Sequence, residues 1–253
     1  MIYKIPILFY LAVFVSDFFP AKSQTFTIAA AANFREPIEK ISVLFMKENP
    51  AIKVRTVFGS SGSLYQQIAN HAPFDIFFSA DMKYPADLYK EGLTTGEPEI
   101  YAVGQLVLWS KSNNMDSNLT VLNSADLKKI VIANPDLAPY GKSAMECLQY
   151  FRLYEKVKNK LVLAENINQA AQFAITGNCD AGLLALSQMR SAAFQGKGSY
   201  IMVPQESYSR IEQGVVSIKS EENAAAVSKF MAFMHSEKVK AIILAYGYHS
   251  GDL

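Results

Sequence analysis

Short apolar runs alternate with longer segments of helical spacing along most of the chain. The runs are rich in β-branched and aromatic residues and have the length of strands. Between the first two runs, Ile38, Ile41 and Phe45 recur at helical spacing. This alternation is typical of an α/β protein. The strands are predicted at 26–30, 52–58, 75–78, 102–110, 130–133, 161–163, 181–185, 200–203 and 214–218.

The last part of the chain has a different pattern, because it is predicted to be all helical from Glu221 onward. Two apolar stripes, one with Val227 and one with Val239, are separated by Ser236 as an N-cap, and Gly247 follows as a C-cap. Two helices without a strand must pack on a sheet formed earlier. We therefore predict a chain that leaves a first lobe, builds a second and returns. The predicted lobes are 24–103 with 217–253, and 104–216.

The first residues form a separate segment with Lys4, a nearly unbroken apolar run at 5–19, Pro20 and the small-residue end Ala21-Lys22-Ser23. This is the pattern of a secretory signal peptide. Its apolar core is shorter than the roughly 20 residues that a membrane-spanning helix needs. We expect cleavage near Ser23, so that residues 1–23 are removed and the remainder is periplasmic.

The charge balance narrows the possible partners. The chain has 24 basic and 23 acidic residues, and the leader contains Lys4, Lys22 and Asp17, so the exported part carries equal numbers of each sign. A neutral protein has no electrostatic footprint for nucleic acid or for an anionic membrane. If the protein binds an anion, it must use local geometry rather than overall charge.

The two cysteines, Cys147 and Cys179, would be exported to an oxidising compartment. A disulfide and two separate buried thiols both remain possible, because sequence does not fix the distance between them. The three histidines do not stand at zinc-ligand spacing from a cysteine. We therefore predict no metal cofactor.

The segment Gly141-Lys142-Ser143 follows a predicted strand and precedes a predicted helix, which is where a nucleotide-binding P-loop would end. The P-loop pattern needs a glycine five residues before Gly141, where this chain has Asp136. Pro135 and Pro139 also remove amides that would contact phosphate. We interpret this stretch as an ordinary helix start rather than a nucleotide site.

The serine-rich loop at 59–63 raises the question of catalysis. It contains Ser61 between glycines, but the G-x-S-x-G pattern of a nucleophile elbow is absent. No histidine stands where a triad could be argued from sequence, and no carboxylate pair stands out. We predict that the protein is not an enzyme, and a secreted hydrolase using Ser61 is the rival hypothesis.

Four predicted strands give way to helices through loops that offer free backbone amides. These loops lie at 30–34, 58–63, 139–142 and 165–168. Helix N-termini attract anions, although Ser, Asn and Gly are also ordinary caps, so any one loop fits a simple capped helix. If the loops converge from two lobes, they can hold a small anion without a cationic side chain. Arg35 and Lys142 lie nearby, but cations in a first turn usually point to solvent, and neither is predicted to be a ligand.

Six motifs in this order carry a resemblance to a known family. They are AANF at 31–34, GSSG at 59–62, HAPFDIFFSAD at 71–81, GQLVLWS at 104–110, NPDLAPYG at 134–141 and AYGY at 245–248. On these motifs, and over essentially all of residues 25–248, the chain resembles the periplasmic molybdate-binding proteins of ABC importers. The resemblance implies a two-lobed periplasmic-binding-protein fold of type II. Each lobe would be a mixed sheet flanked by helices, and two crossover strands would join the lobes around an oxyanion cleft.

The resemblance also implies the residues that bind the oxyanion. The implied donors are Asn33 with the adjacent Ala32 amide, the Ser61 hydroxyl and amide, the Tyr140 amide and the Ile167 amide. One branch of the family has a tyrosine where this chain has Ala185, and the other has a threonine where this chain has Ala32. One side-chain donor is therefore missing at each of these positions.

We therefore expect a monomeric binding protein that captures molybdate, and also tungstate, and closes on it by a hinge at crossovers near residues 103 and 216. Molybdenum would enter only as molybdate, and no cofactor is expected. The partners implied are an ABC importer permease and its ATPase subunit. Ala32 and Ala185 keep open the alternative of a binding protein for sulfate or another tetrahedral oxyanion.

Overall fold

The computed structural model describes residues 24–111 and 115–251, so the predicted leader lies outside the described residues. None of the helices in this part of the chain is long and apolar enough to cross a membrane. The strands are β1 (Gln24–Ala31), β2 (Ile52–Gly59), β3 (Ile76–Phe78), β4 (Glu99–Gly104), β5 (Leu106–Ser110), β6 (Ile130–Ala133), β7 (Leu161–Ala164), β8 (Ala181–Ala185), β9 (Ser199–Met202), β10 (Ile211–Ser217) and β11 (His249–Ser250). The helices are α1 (Arg35–Glu48), α2 (Ser61–Ala69), α3 (Lys83–Lys90), α4 (Pro139–Tyr150), α5 (Tyr154–Val157), α6 (Ile167–Ile175), α7 (Leu186–Met189), α8 (Ala224–Met234) and α9 (Glu237–Ala245).

The first sheet has the strand order β11-β4-β10-β3-β1-β2 within the described residues. β1 is parallel to β2 and β3, whereas β10 runs antiparallel to β3 and β4. Side chains alternate between two apolar clusters, because successive residues of a strand point to opposite faces. Phe26 and Ile28 of β1 pack on the side of α1, α8 and α9, and Ala29 packs on the side of α2 and α3. The sheet is thus covered by helices on both faces.

The second sheet has the order β7-β6-β8-β5-β9. β6 is parallel to β7 and β8, and β5 is antiparallel to β8 and β9. β6 and β8 are buried along their whole length, which matches the continuous apolar runs expected of a parallel sheet covered by helices. The predicted α/β class is therefore confirmed, since both sheets are mixed and flanked by helices.

The predicted strand 102–110 is wrong as a single element. It is two strands, β4 in the first sheet and β5 in the second, and Gln105 separates them. The break occurs because the two halves pair with different partners: Gly104 pairs with Ile211, whereas Leu106 pairs with Ala185. This is the first passage of the chain between the sheets.

The chain returns to the first sheet through β10, which pairs with β3 and β4. By strand pairing, all of β10 belongs to the first sheet, although the predicted lobe boundary falls between residues 216 and 217. The lobe limits 24–103 with 217–253, and 104–216, stay a prediction.

The two predicted C-terminal helices are confirmed as α8 and α9, and Ser236 caps α9 by accepting from the Val239 amide. The prediction that the whole end is helical is wrong, because β11 pairs with β4. Gly247 makes this possible, since its positive φ of 78° ends the helix and turns the chain back to the sheet.

Cys147 and Cys179 are both free and buried. Cys147 lies in α4, whereas Cys179 precedes β8. Of the two arrangements left open by the sequence, the structure has separate buried thiols. Burial raises the pKa of Cys147 to about 11, so this thiol stays protonated at neutral pH.

Candidate ligand-binding site

Four strand ends from the two sheets meet at one small cavity. β1 and β2 of the first sheet, and β6 and β7 of the second, each lead at their carboxyl end into a loop and a helix. Ligands of α/β proteins commonly bind outside the carboxyl ends of such strands. The cavity is lined by Ala31, Asn33, Gly59, Ser60, Ser61, Ala80, Ala138, Pro139, Tyr140, Asn166 and Ile167.

Ser61 begins α2 and is almost fully buried. Its Oγ accepts a hydrogen bond of 2.9 Å from the backbone amide of Ala80. The neighbouring Ser60 is the N-cap, because its side chain accepts from the Ser63 amide. With Ser60 capping the helix, the Ser61 hydroxyl keeps its own hydrogen to donate to a ligand in the cavity.

Three helix starts also present backbone amides to the cavity. Ser61 and Ile167 are the first residues of α2 and α6, and Tyr140 is the second residue of α4, after Pro139. Amides in a first turn have no partner in their own helix. In the part of the chain that the structure describes, none of these three amides donates to a protein acceptor. The cavity is thus lined by three residues whose unpaired N–H groups lie at the starts of helices that follow strands of both sheets.

Asn33 lies in a short 3-10 helix, Ala32–Phe34, at the end of β1. Its Nδ2 donates to Gln213 Oε1 and to Tyr248 Oη, both at 2.9 Å. Gln213 also accepts from Tyr101 Oη at 2.7 Å, and its Nε2 donates to Tyr140 Oη at 3.2 Å. These five buried side chains form one polar network beside the cavity, which we call the amide–tyrosine network.

The amide–tyrosine network carries no charge at physiological pH. Burial raises the pKa of Tyr101 and of Tyr140 well above the usual value for a phenol, and it also raises the pKa of Tyr248. All three phenols therefore stay protonated. Because no residue lining the cavity is charged either, an anion bound there would meet neutral donors only.

The two lobes contact each other directly around the cavity. The Gly62 amide donates to the carbonyl of Leu137 at 2.9 Å. On another side, Ser187 Oγ donates to the carbonyl of Asn33 at 3.0 Å. Both bonds join the first sheet's side to the second sheet's side, so the structure has the lobes closed on the cavity.

Four of the five residues implied as ligands line this cavity, namely Asn33, Ser61, Tyr140 and Ile167. Ala32 does not line it. It lines a neighbouring cavity of about 460 Å³ that also contacts Asn33. The role of all five residues in binding stays a prediction.

Other residues considered from the sequence lie elsewhere. Ala185 is fully buried and lines neither of these two cavities. Arg35 lies over the ring of Phe58 and pairs with Glu39, and Lys142 pairs with Glu146 at 3.9 Å. Neither cation lines the small cavity.

Sequence reasoning missed the residues that form hydrogen bonds to the site residues without lining the cavity, above all Gln213 and Tyr248. Gln213 is fully buried in β10, but the predicted strand began only at Gly214. A polar residue between apolar positions of a strand was the available signal. Tyr248 contributed only to the AYGY motif, although its hydroxyl donates to the Asn33 carbonyl at 2.9 Å.

Two α/β lobes closed on a neutral, donor-lined cavity define the class of two-lobed solute-binding proteins. Comparison with known proteins agrees, because residues 26–249 match the family described as bacterial extracellular solute-binding protein. The chain is 39% identical over 230 residues to the molybdate-binding protein ModA of Rhodobacter capsulatus, covering 90% of each chain. It is 40% identical over 230 residues to ModA of Azotobacter vinelandii, covering 90% of this chain and 91% of that protein.

A solved structure gives the same result. The periplasmic molybdate-binding protein of Azotobacter vinelandii superposes with a TM-score of 0.84 at 36% identity, covering 88% of this chain and 98% of the other. The chain therefore belongs to the bacterial extracellular solute-binding protein family and groups with its ModA members. The fold predicted from the resemblance is confirmed.

Proposed function

We propose that the protein captures molybdate, and also tungstate, in the cavity between its lobes and delivers it to an ABC importer. The observation that carries this proposal is the set of donors at the cavity: three unpaired helix-start amides and the Ser61 hydroxyl, with no charged side chain among the lining residues. The names of the ModA relatives support molybdate as the ligand.

Neutral donors are sufficient on energetic grounds. A hydrogen bond to a charged group contributes about 1.5 to 3 kcal/mol, and association has its own cost. About six such bonds would leave enough for submicromolar binding, which needs a net free energy of about 8 kcal/mol. The proposed donors are those of Ala32, Asn33, Ser61, Tyr140 and Ile167.

The same donors favour one protonation state of the ligand. A cavity with donors and no carboxylate suits a fully deprotonated dianion, because every ligand oxygen can accept. A protonated phosphate would bring an O–H group without an acceptor. Sulfate is also a dianion, so it is the rival ligand that must be tested.

We propose that binding involves no chemical step. The Ser61 hydroxyl accepts from a backbone amide, and no titratable side chain other than the buried Tyr140 contacts the cavity. Burial raises the pKa of Tyr140, and its hydroxyl oxygen accepts from Gln213 Nε2, so Tyr140 is not a base for Ser61. A hydrolase would need such a base.

The protein would act as the soluble-ligand carrier of an importer in the membrane. The protein would be exported to the periplasm after cleavage near Ser23, act as a monomer, and dock on a permease whose ATPase subunit supplies the energy. The lobes would open and close at the two crossovers, near residue 103 and near residue 216. One predicted lobe consists of residues 24–103 and 217–253, and the other consists of residues 104–216. Periplasmic relatives support export.

Calorimetry with molybdate, tungstate, sulfate and phosphate tests the proposal. We expect submicromolar binding of molybdate and tungstate and much weaker binding of the other two. Sulfate binding as tight as molybdate binding would refute the assignment. Hydrolysis of generic esters that is lost in Ser61→Ala would refute the binding-protein class itself.

A further inference from the structure

Gln213 connects the two walls of the cavity, although it does not line the cavity itself. It is fully buried in β10, the strand by which the chain returns to the first sheet. Its Oε1 accepts from Asn33 of the first wall, and its Nε2 donates to Tyr140 of the second wall. A single amide therefore contacts one implied ligand residue from each lobe.

The orientation of the Asn33 amide does not suit an anion. Both hydrogens of Nδ2 are used, one by Gln213 Oε1 and one by Tyr248 Oη. Its Oδ1 is buried and has no hydrogen-bond partner among the described residues. A buried polar atom without a partner is rare and costly. In this orientation Asn33 has no side-chain hydrogen left for a ligand oxygen.

A half-turn of the Asn33 amide would bring Nδ2 to the position of the unpaired oxygen. Oδ1 would then face Gln213 Oε1, and two acceptors would meet unless Gln213 also turned. After that second turn, Gln213 Nε2 donates to Asn33 Oδ1, and Gln213 Oε1 accepts from Tyr140 Oη. The two amides must therefore turn together.

The other hydroxyls of the network can follow this change by rotation alone. Tyr101 Oη, which now donates to Gln213, would accept from the second hydrogen of Nε2. Tyr248 Oη, which now donates to the Asn33 carbonyl, would donate to Asn33 Oδ1 instead. The Asn33 carbonyl would keep its bond from Ser187 Oγ. Each nitrogen and oxygen of the two amides then has a partner, the Tyr101 hydroxyl gives up its acceptor Gln213 Oε1, and Asn33 has two hydrogens for the ligand.

The packing around Gln213 leaves little freedom for any other rearrangement. A Cβ on Gly104 would collide with Tyr140 Oη and would lie 2.5 Å from Gln213 Nε2. The Tyr140 phenol and the Gln213 amide therefore occupy the space that a side chain at position 104 would need. Reversing the amides needs no additional space, because the nitrogen and oxygen of an amide have nearly the same size.

We infer that Gln213 is a positioning residue that sets the orientation of the Asn33 amide toward the oxyanion and couples it to Tyr140 in the opposite lobe. This inference rests on the proposed function. Anion binding selects the arrangement in which Asn33 donates to the ligand, and Gln213 supplies the donor that this arrangement requires.

Two substitutions test the inference by calorimetry with molybdate. Gln213→Met keeps the length of the side chain but removes its hydrogen bonds, and we expect the affinity to fall about tenfold or more. Gln213→Glu leaves an acceptor-only carboxylate at about pH 8, which holds Asn33 Nδ2 away from the ligand, so the loss should be larger there.

The pH profile separates positioning from a structural role. Once protonated, the carboxyl group introduced by Gln213→Glu would have one donor and one acceptor. The affinity of this variant should therefore recover as pH falls from about 8 to about 5.5, because burial raises the pKa of a carboxyl group. Relative to the unchanged protein measured at the same pH, Gln213→Met should not recover, and an effect of Asp81 that is common to all variants cancels in this comparison. The titratable groups that face position 213 are the phenols of Tyr101 and Tyr140, which stay protonated over this range, and Asp81 acts on Tyr101 through space.

Tyr208→Phe is the matched control. The Tyr208 hydroxyl is buried near the crossovers and accepts from the Leu106 amide, but it has no hydrogen bond to Asn33 or Gln213. We expect it to lower the melting temperature without changing the affinity. If both Gln213 variants bind molybdate as tightly as the unchanged protein at every pH, the inference is wrong while the proposed function stands. If the unchanged protein does not bind molybdate, both are wrong.

Discussion

The hydroxyl of Ser61 accepts a 2.9 Å hydrogen bond from the backbone amide of Ala80, and this bond fixes the side chain at the edge of the cavity. A hydroxyl that already accepts from a backbone amide is directed to donate its hydrogen elsewhere. Because Ser61 also contributes an unpaired backbone amide, one residue offers two donors to the same small volume.

We predict that Ser61→Ala weakens molybdate binding by about 1.5 to 3 kcal/mol, which corresponds to roughly tenfold to 150-fold, because one hydrogen bond to a charged ligand is lost. Titration calorimetry measures this change. Ser42→Ala is the control, since Ser42 is also a buried serine but lies on α1 and does not line the cavity. An affinity for Ser61→Ala equal to that of the control would remove this side chain from the site.

A second prediction concerns closure of the lobes. The Gly62 amide donates to the Leu137 carbonyl across the cleft, and a Cβ on Gly62 would lie 3.0 Å from that oxygen and 2.8 Å from Tyr84 Oη. Gly62→Ala should therefore hinder the closed arrangement and weaken molybdate binding by about 1 to 3 kcal/mol. The free energy of unfolding without ligand should change less.

Gly96→Ala is the matched control for this experiment, because nothing lies within 4 Å of the added Cβ. Small-angle scattering gives a second measurement. The unchanged protein and Gly96→Ala should become more compact when molybdate is added. The compaction of Gly62→Ala should be smaller. Equal compaction and equal affinity in all three proteins would contradict the role assigned to Gly62.

Much of the fold follows from local signals in the sequence. The runs 130–133 and 181–185 are predicted with their observed bounds, because strands buried on both faces are continuously apolar. The crossover at Gln105 could not be predicted in this way, since apolar residues continue on both sides and only the pairing partners differ. β11 has two residues and carries no periodic signal.

The same distinction between local signals and distant contacts applies to the candidate site. Its loops could be predicted because a strand followed by small donor residues and a helix is a local pattern. The amide–tyrosine network could not, because Gln213 contacts Asn33 and Tyr140 across separations of 180 and 73 residues. Only the folded chain brings these side chains together.

A third prediction concerns Cys147 and Cys179, which are free and buried. The native protein, purified without a reductant, should react slowly with a thiol reagent, because both thiols are shielded and their pKa values are raised by burial. Unfolding in denaturant should release two reactive thiols per chain. Finding none would mean that the cysteines are bridged, and a melting temperature lowered by reductant would point to the same conclusion.

The carboxylate of Asp81 lies beside the Ala80 wall of the cavity and is partly buried. Its Oδ1 accepts from Ser79 Oγ at 3.0 Å and from the Tyr84 amide at 3.2 Å. Burial nevertheless raises the pKa of Asp81, although these bonds and the charges of Lys83 and Lys142 act in the opposite direction. The folded state therefore binds a proton at Asp81 more readily than the unfolded state does.

The fourth prediction follows from the sign of this shift. A carboxyl group whose pKa is raised by folding favours the folded state at low pH, and this contribution is lost as pH rises through the raised pKa. We predict that Asp81→Asn, which keeps an acceptor for Ser79 and Tyr84, raises the free energy of unfolding at pH 7 by up to about 1 kcal/mol. The difference from the unchanged protein should shrink as pH falls toward the pKa of an unfolded aspartate, about 4.

Molybdate should also bind more tightly to Asp81→Asn at pH 7, because a negative charge near the cavity is removed. Urea unfolding at several pH values and calorimetry measure the two effects, and a variant that is less stable than the unchanged protein at pH 7 would show that the hydrogen bonds of Asp81 outweigh its burial.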